Sequence, residues 1–275
     1  MSNPNTSHYL LLLLLFVYSC SETTEKSTNV DKNNAIESVL IPDSSVIQLP
    51  CIQQRIQTIQ QALKQPIPVL LLTGLDEKQT KAQDIAIHDA KFCENIKDPK
   101  TGTPFRTEIF NVYSARPQEV PKEIQGANAY KVEMYNFALN LTTTAIVDIS
   151  SSKVFSVNKL PASQPDIPTH LKDLALQIAV HSPEVIKALG YQPGQEEAMM
   201  ANTKTALNNT KCERSLHLCV APTFVKDNKA LWAIVDLTDH KLVGIRWTQV
   251  GTPGPKRISE RKLKFDKIME CYCKQ

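Results

Sequence analysis

Glycine is scarce in this chain, eight in 275 residues, and the scarcity argues against the glycine-rich loops that cradle phosphates. A dominant charge is missing as well. The formal net charge of +3 creates no field that would single out nucleic acid or an acidic substrate. The apolar run Leu10–Val17 is too short to span the roughly 30 Å of hydrocarbon in a bilayer as a helix. No two cysteines show Cys-x-x-Cys spacing, and no histidine lies two positions from another. What is present is 42% apolar residues and seventeen prolines, a composition that can build real cores from strands and helices joined by proline-bearing turns.

The first residues stand apart from the rest. Leu10–Val17 has the length of a signal-peptide core and ends in YSC, which resembles a bacterial lipoprotein signal cut before Cys20. The resemblance implies that Cys20 carries acyl chains that hold the protein on a membrane, either periplasmic side or cell surface. The leader MSNPNTSHY departs from the pattern in having no Lys or Arg. SETTEKSTNVDKNN then reads as a polar tether with nothing to bury. The expected layout is a signal peptide over 1–19 and an anchored tether over 20–50.

Export places the other six cysteines, Cys51, Cys93, Cys212, Cys219, Cys271 and Cys273, where disulfides form. Six cysteines allow fifteen pairings. In KCERSLHLCVAP, Cys212 and Cys219 face each other if the intervening residues fold back. The adjacent pair in ECYCKQ is strained as a mutual bridge, since one residue separates Cys271 from Cys273. A zinc site of Cys212, His217, Cys219 and a terminal cysteine is the sharper alternative, although its spacing matches no paired Cys-x-x-Cys motif.

Periodicity divides the chain beyond the tether into helices and strands. Ile52, Ile56, Ile59 and Leu63 recur at helical spacing, and Asp76 is placed to cap a second helix through Gln79, running past Ile85 to Phe92 and Ile96. His88 lies beside that stripe as an edge residue. TEIFNVYSA, AYKVEMYNFAL, TTTAIVDI and KVFSV read as strands. Thr169 is placed to cap HLKDLALQIAV, and Ser182, Pro183 and Gly190 bracket SPEVIKALG as cap, first-turn proline and terminating glycine. SLHLCVAPTFV, ALWAIVDL and KLVGIRW supply strands again.

One segment occurs twice. AIVDIS at Ala145–Ser150 returns as AIVDLT at Ala233–Thr238, and Lys153 and Lys241 keep the same offset. The simplest meaning is a hairpin used in two units. Asp148 and Asp236 then satisfy turn backbone N–H groups rather than act as a pair of catalytic carboxylates. The expected fold is α+β: a first domain with N-terminal helices over 51–192, a second, sheet-rich domain over 193–252, and a basic helix or linker over 253–275.

The phrases IVDISSSKVFSVNKLPASQPDIPTHLKDLALQIAVHSPEVIKALG and ALWAIVDLTDHKLVGIRW resemble the second and third N-terminal domains of copper amine oxidases. That resemblance implies two small cystatin-like units, each a helix on an antiparallel sheet. It does not extend to catalysis. No tyrosine follows an asparagine as the quinone precursor would, and no His-x-His pair is present to hold copper. No catalytic residue, metal ligand or cofactor is therefore assigned.

The expectation for function is a lipid-anchored binding or interaction module of the cell envelope, in contact with a membrane and a protein partner but not with nucleic acid. The alternative is a truncated or accessory part of a copper amine oxidase, completed by a catalytic domain from elsewhere. A third reading is a small hydrolase or metal enzyme built from Cys212, His217 and Asp236. Lys256, Arg257, Arg261, Lys262, Lys264 and Lys267 read as a solvated helix face, with anionic lipid as the alternative.

Overall fold

The computed structural model describes residues 38–40, 49–120, 122, 128–201, 210–212 and 216–250. Cys20, Cys271, Cys273 and the basic C-terminal segment lie outside them. The fold is α+β, with two sheets in which every strand pairing is antiparallel. Among the described residues, no helix is long and apolar enough to cross a membrane.

The first sheet has the order β2 (Thr107–Ser114), β3 (Ala129–Asn136), β4 (Leu141–Asp148), β5 (Lys153–Pro161). Helix α2 (Glu77–Ile87) covers one face of it. Its start is fixed by a full capping box: the Asp76 carboxylate accepts from the Gln79 amide, and the Gln79 side chain reaches back to the Asp76 amide. The helix ends at Ile87, earlier than the apolar spacing suggests, and Phe92 and Ile96 enter the core from the turns beyond it. Asp89 stops it, because its carboxylate takes the amides of Lys91 and Phe92 and so offers the backbone an alternative to the helix.

The second sheet has the order β1 (Ser38–Leu40), β9 (Lys241–Gln249), β8 (Lys229–Asp236), β7 (Cys219–Lys226), β6 (Met199–Ala201). The tether reading over 20–50 needs correction here, since Ser38–Leu40 pairs with Gly244–Arg246 as an edge strand. The reason is local: the polar composition ends before SVL.

A larger correction concerns α3 (Thr169–His181) and α4 (Pro183–Leu189), which the sequence reading placed in the first domain. Leu171, Leu174, Ala175 and Ile178 pack with Val220, Leu231, Ala233, Val235 and Ile245 of the second sheet, and α3 lies against β7, β8 and β9. Each sheet thus follows its own helical segment, α2 before β2–β5 and α3 with α4 before β6–β9. Thr169 opens the first turn of α3 and does not cap it; the residue before it, Pro168, occupies the cap position. Ser182 likewise forms no side-chain cap, because its hydroxyl donates to the carbonyl of Ile178 at 2.6 Å. Gly190 does end α4, with φ 79° in the left-handed region where a side chain is strained.

The duplication is faithful in three dimensions. β4 and β8 both end on the repeated Asp, and the bulge between Ile146 and Val147 recurs between Ile234 and Val235. Asp148 faces Lys153 as Asp236 faces Lys241. Ala145 and Val147 point at α2, and Ala233 and Val235 at α3. Ile146 and Ile234 lie on the other face of each strand, buried as well. The preceding strands keep an offset of 90 rather than 88, since Ala129 pairs with Asp148 and Cys219 with Asp236. The difference comes from the hairpin tips, four residues after Asn136 but only Asp227 and Asn228 after Lys226. Both of those have positive φ, 49° and 58°, as a tight two-residue hairpin turn demands.

The halves meet over an aromatic seam. Phe110, Tyr135 and Phe137, with ring centroids 4.9–5.9 Å apart, share one core with Ile52 of α1 (Pro50–Leu63), α3 and Leu237. Such ring pairs add about 0.5–1.5 kcal/mol each beyond their buried area. Residues of the first sheet thus enter the core of the second half at this seam.

Candidate functional site

Two places hold polar groups in arrangements that the fold alone does not require. The first is a cleft of about 510 Å³ between α1, the segment Leu70–Thr73, the start of β2 and α3. Its apolar wall includes Leu70, Leu71 and Leu174, and its polar wall includes Gln54, Thr58, Gln177 and His170. At its base the carboxylate of Glu108, 1% exposed, pairs with the guanidinium of Arg55 and, at 2.9 Å, with Nε of Arg106.

Arg106 also ties the halves together. Its Nη1 donates to the carbonyls of Leu237 and Thr238 at 3.3 and 2.9 Å, and its guanidinium lies 3.7 Å from the centre of the Phe137 ring. Two half-buried guanidiniums share one carboxylate, and among the described residues Nε of Arg55, Nη2 of Arg106 and Nε2 of His240 find no hydrogen-bond partner. This excess of positive charge acts on the nearby imidazoles. Burial first, then Arg106 and Arg55, pushes His240 down to about 3. Burial and then Arg55 lower His170 too, and both rings stay neutral near pH 7.

The second place is the repeated turn of the second half. Oδ1 of Asp236 accepts the amides of Thr238 and Asp239 at 2.8 and 3.1 Å. Its Oδ2 lies 2.6 Å from Nδ1 of His217, and a carboxylate oxygen of Asp239 lies 3.8 Å from the same nitrogen. Ligand atoms of His217, Asp236 and Asp239 fall within 4.8 Å of one another, so these residues are able to hold a metal ion. The backbone around His217 is pinned. Its carbonyl accepts from Gln164, and the next amide, Leu218, donates to the Thr238 hydroxyl.

Cys212 and Cys219 are bonded to each other, S–S 2.08 Å, within the core that contains Ala221 and Ile234. The bond removes the Cys212 thiol from the Cys212, His217 and Asp236 arrangement that the enzyme reading invoked, and both thiols from the zinc site of Cys212, His217 and Cys219. The structure does bring His217 and Asp236 together, while the capping role read for Asp148 and Asp236 describes both turns. His88 is exposed and bonds to the carbonyl of Asp84. Among the free thiols, Cys93 is pushed up to about 11 by burial, reinforced by Asp89, and is a poor nucleophile at neutral pH.

Sequence reasoning missed Arg55, Arg106, Glu108 and His170. The one available signal was Glu108, an acid set between Thr107 and Ile109 at the head of an apolar strand. Its partner Arg55 lies 53 positions away, beyond any local pattern. No protein-family model matches the chain, and no curated protein sequence matches it.

Proposed function

We propose that this chain is a lipid-anchored binding protein of a bacterial cell envelope, made of two cystatin-like units related to those that precede the catalytic domain of copper amine oxidases. It engages a segment of a partner protein in the cleft between α1 and α3. One observation carries the reading: the cleft lies where the two halves meet, with apolar Leu70, Leu71 and Leu174 opposite Gln54, Thr58 and Gln177. Mixed walls of this kind suit a peptide, whose side chains need apolar contact and whose backbone needs hydrogen bonds. The succession of a helical segment and four antiparallel strands, α2 with β2–β5 and then α3 and α4 with β6–β9, supports the cystatin-like description.

The site argues for binding rather than turnover. Glu108 is already saturated by two guanidiniums, and Cys212 is held in a disulfide. The test places a photo-crosslinking residue at Leu71, 44% exposed on the cleft wall, and at Leu139, 46% exposed and outside it. In cells, Leu71 should give a discrete adduct that Thr58→Arg abolishes by filling the cleft, while Leu139 gives none. Adducts insensitive to Thr58→Arg, or equal at both positions, would refute the cleft as the binding place. Identification of the adduct as an amine oxidase catalytic chain would favour the accessory reading. Fatty-acid labelling that marks the wild type but not Cys20→Ala tests the anchor.

A further inference from the structure

The duplicated turn supplies its own control, because the two copies do the same structural work with different side chains. In the first copy Asp148 uses both oxygens locally: Oδ1 accepts the Ser150 amide, and Oδ2 accepts the amide and hydroxyl of Ser151. In the second copy Oδ1 of Asp236 takes both turn amides, which leaves Oδ2 turned toward His217. By the offset of 88, Ser151 stands where the second copy has Asp239. The turn therefore folds without a carboxylate at that position. What His217 and Asp239 add is a nitrogen and a carboxylate gathered around a third ligand, at the mouth of a rigid, disulfide-backed strand.

We propose that His217, Asp236 and Asp239 bind a divalent transition metal of the zinc type. Two ligand atoms about 2.1 Å from a tetrahedral zinc stand roughly 3.4 Å apart. The distances from Nδ1 of His217, 2.6 Å to Asp236 and 3.8 Å to Asp239, straddle that value. One imidazole and two carboxylates are a donor set suited to zinc, and three protein ligands leave a fourth position for water or a ligand from a partner. Asp236 is 2% exposed and His217 14%, whereas Asp239 is 36% exposed, so the site opens on the Asp239 side. The ammonium of Lys241, 3.4 Å from the Asp239 carboxylate, is the group a dication would displace.

The experiment uses the full, non-reduced chain, equilibrated with micromolar zinc and then analysed for metal, beside His217→Gln and Asp239→Asn. Neither substitution touches the hydrogen bonds that Asp236 gives the turn, and circular dichroism checks that both variants fold. The wild type should hold one zinc more than either variant, or bind it at least tenfold more tightly. Cobalt(II) in its place should give visible d–d bands without a thiolate charge-transfer band. Equal zinc content in all three proteins overturns the proposal, as does a thiolate band, which would assign the metal to cysteines, or the absence of any bound metal.

Discussion

Ser152 and His240 occupy one and the same backbone position, φ 54° in each, as the last residue of the two equivalent turns. The left-handed region is sparsely used by residues other than glycine, so both copies carry the same small strain. They differ in what surrounds the side chain. Ser152 is exposed, whereas His240 is 6% exposed, with Arg106 and Arg55 disfavouring its charged form and Asp239 favouring it.

That difference makes stability depend on pH. The folded-state value of His240 is about 3, below the ordinary 6.5 of the unfolded chain. The unfolded state therefore binds the extra proton between these values, and stability falls as pH drops from about 6.5 toward 3, with a slope approaching ~1.4 kcal/mol per pH unit. Urea unfolding at pH 7.5, 6, 5 and 4 should show this decline. His240→Asn, which tolerates the left-handed backbone, should flatten it, with a residual slope from His170, shifted in the same direction.

Glu108→Gln removes the carboxylate that both Arg55 and Arg106 contact. It leaves two half-buried guanidiniums without their shared carboxylate, at a cost of up to about 3–5 kcal/mol. Adding Arg55→Met should recover part of the loss, because one uncompensated charge goes with it. A double-mutant cycle with a coupling near zero would contradict the shared-carboxylate arrangement.

Ile146→Ala and Ile234→Ala each empty a buried aliphatic site and should cost about 2–5 kcal/mol. The two residues sit in different sheets, and Ile234 belongs to the small core around the disulfide while Ile146 does not. Their losses should add to within about 0.5 kcal/mol in the double mutant. Chemical denaturation of the three variants measures this directly.

The Cys212–Cys219 bond closes a short loop, seven positions in separation. Replacing both cysteines by alanine should destabilise by about 2–3 kcal/mol through the entropy returned to the unfolded chain. Calorimetry on the double variant should show a lowered Tm, and added reductant should have no further effect on it through this pair.

The sequence carried the local rules of this fold plainly and the long-range ones poorly. Asp76 with Gln79 is a cap legible in four residues, and AIVDIS with AIVDLT announces equivalent strands. The owner of α3 was not legible, since Leu171, Leu174, Ala175 and Ile178 form a stripe that fits either sheet equally well. Periodicity identifies the buried face of a helix but not what buries it. Glu108 found its partner across 53 positions, and His217 approached Asp236 only because β7 pairs with β8. The bulges and the left-handed turns came with the repeat; the charges that distinguish its second copy came from tertiary contact.

Strand β1 carries a mechanical consequence. It is three residues long, lies at the edge of the second sheet, and runs antiparallel to β9, with Ser38 beside Arg246 and Leu40 beside Gly244. Tension applied through the residues before Ser38 loads its few cross-strand bonds one after another, starting at Ser38, and not together. Such an edge unzips at low force. The four-stranded meander from β6 to β9 and the helix on it stay intact behind it, so β1 works as a weak link that yields before the cores do.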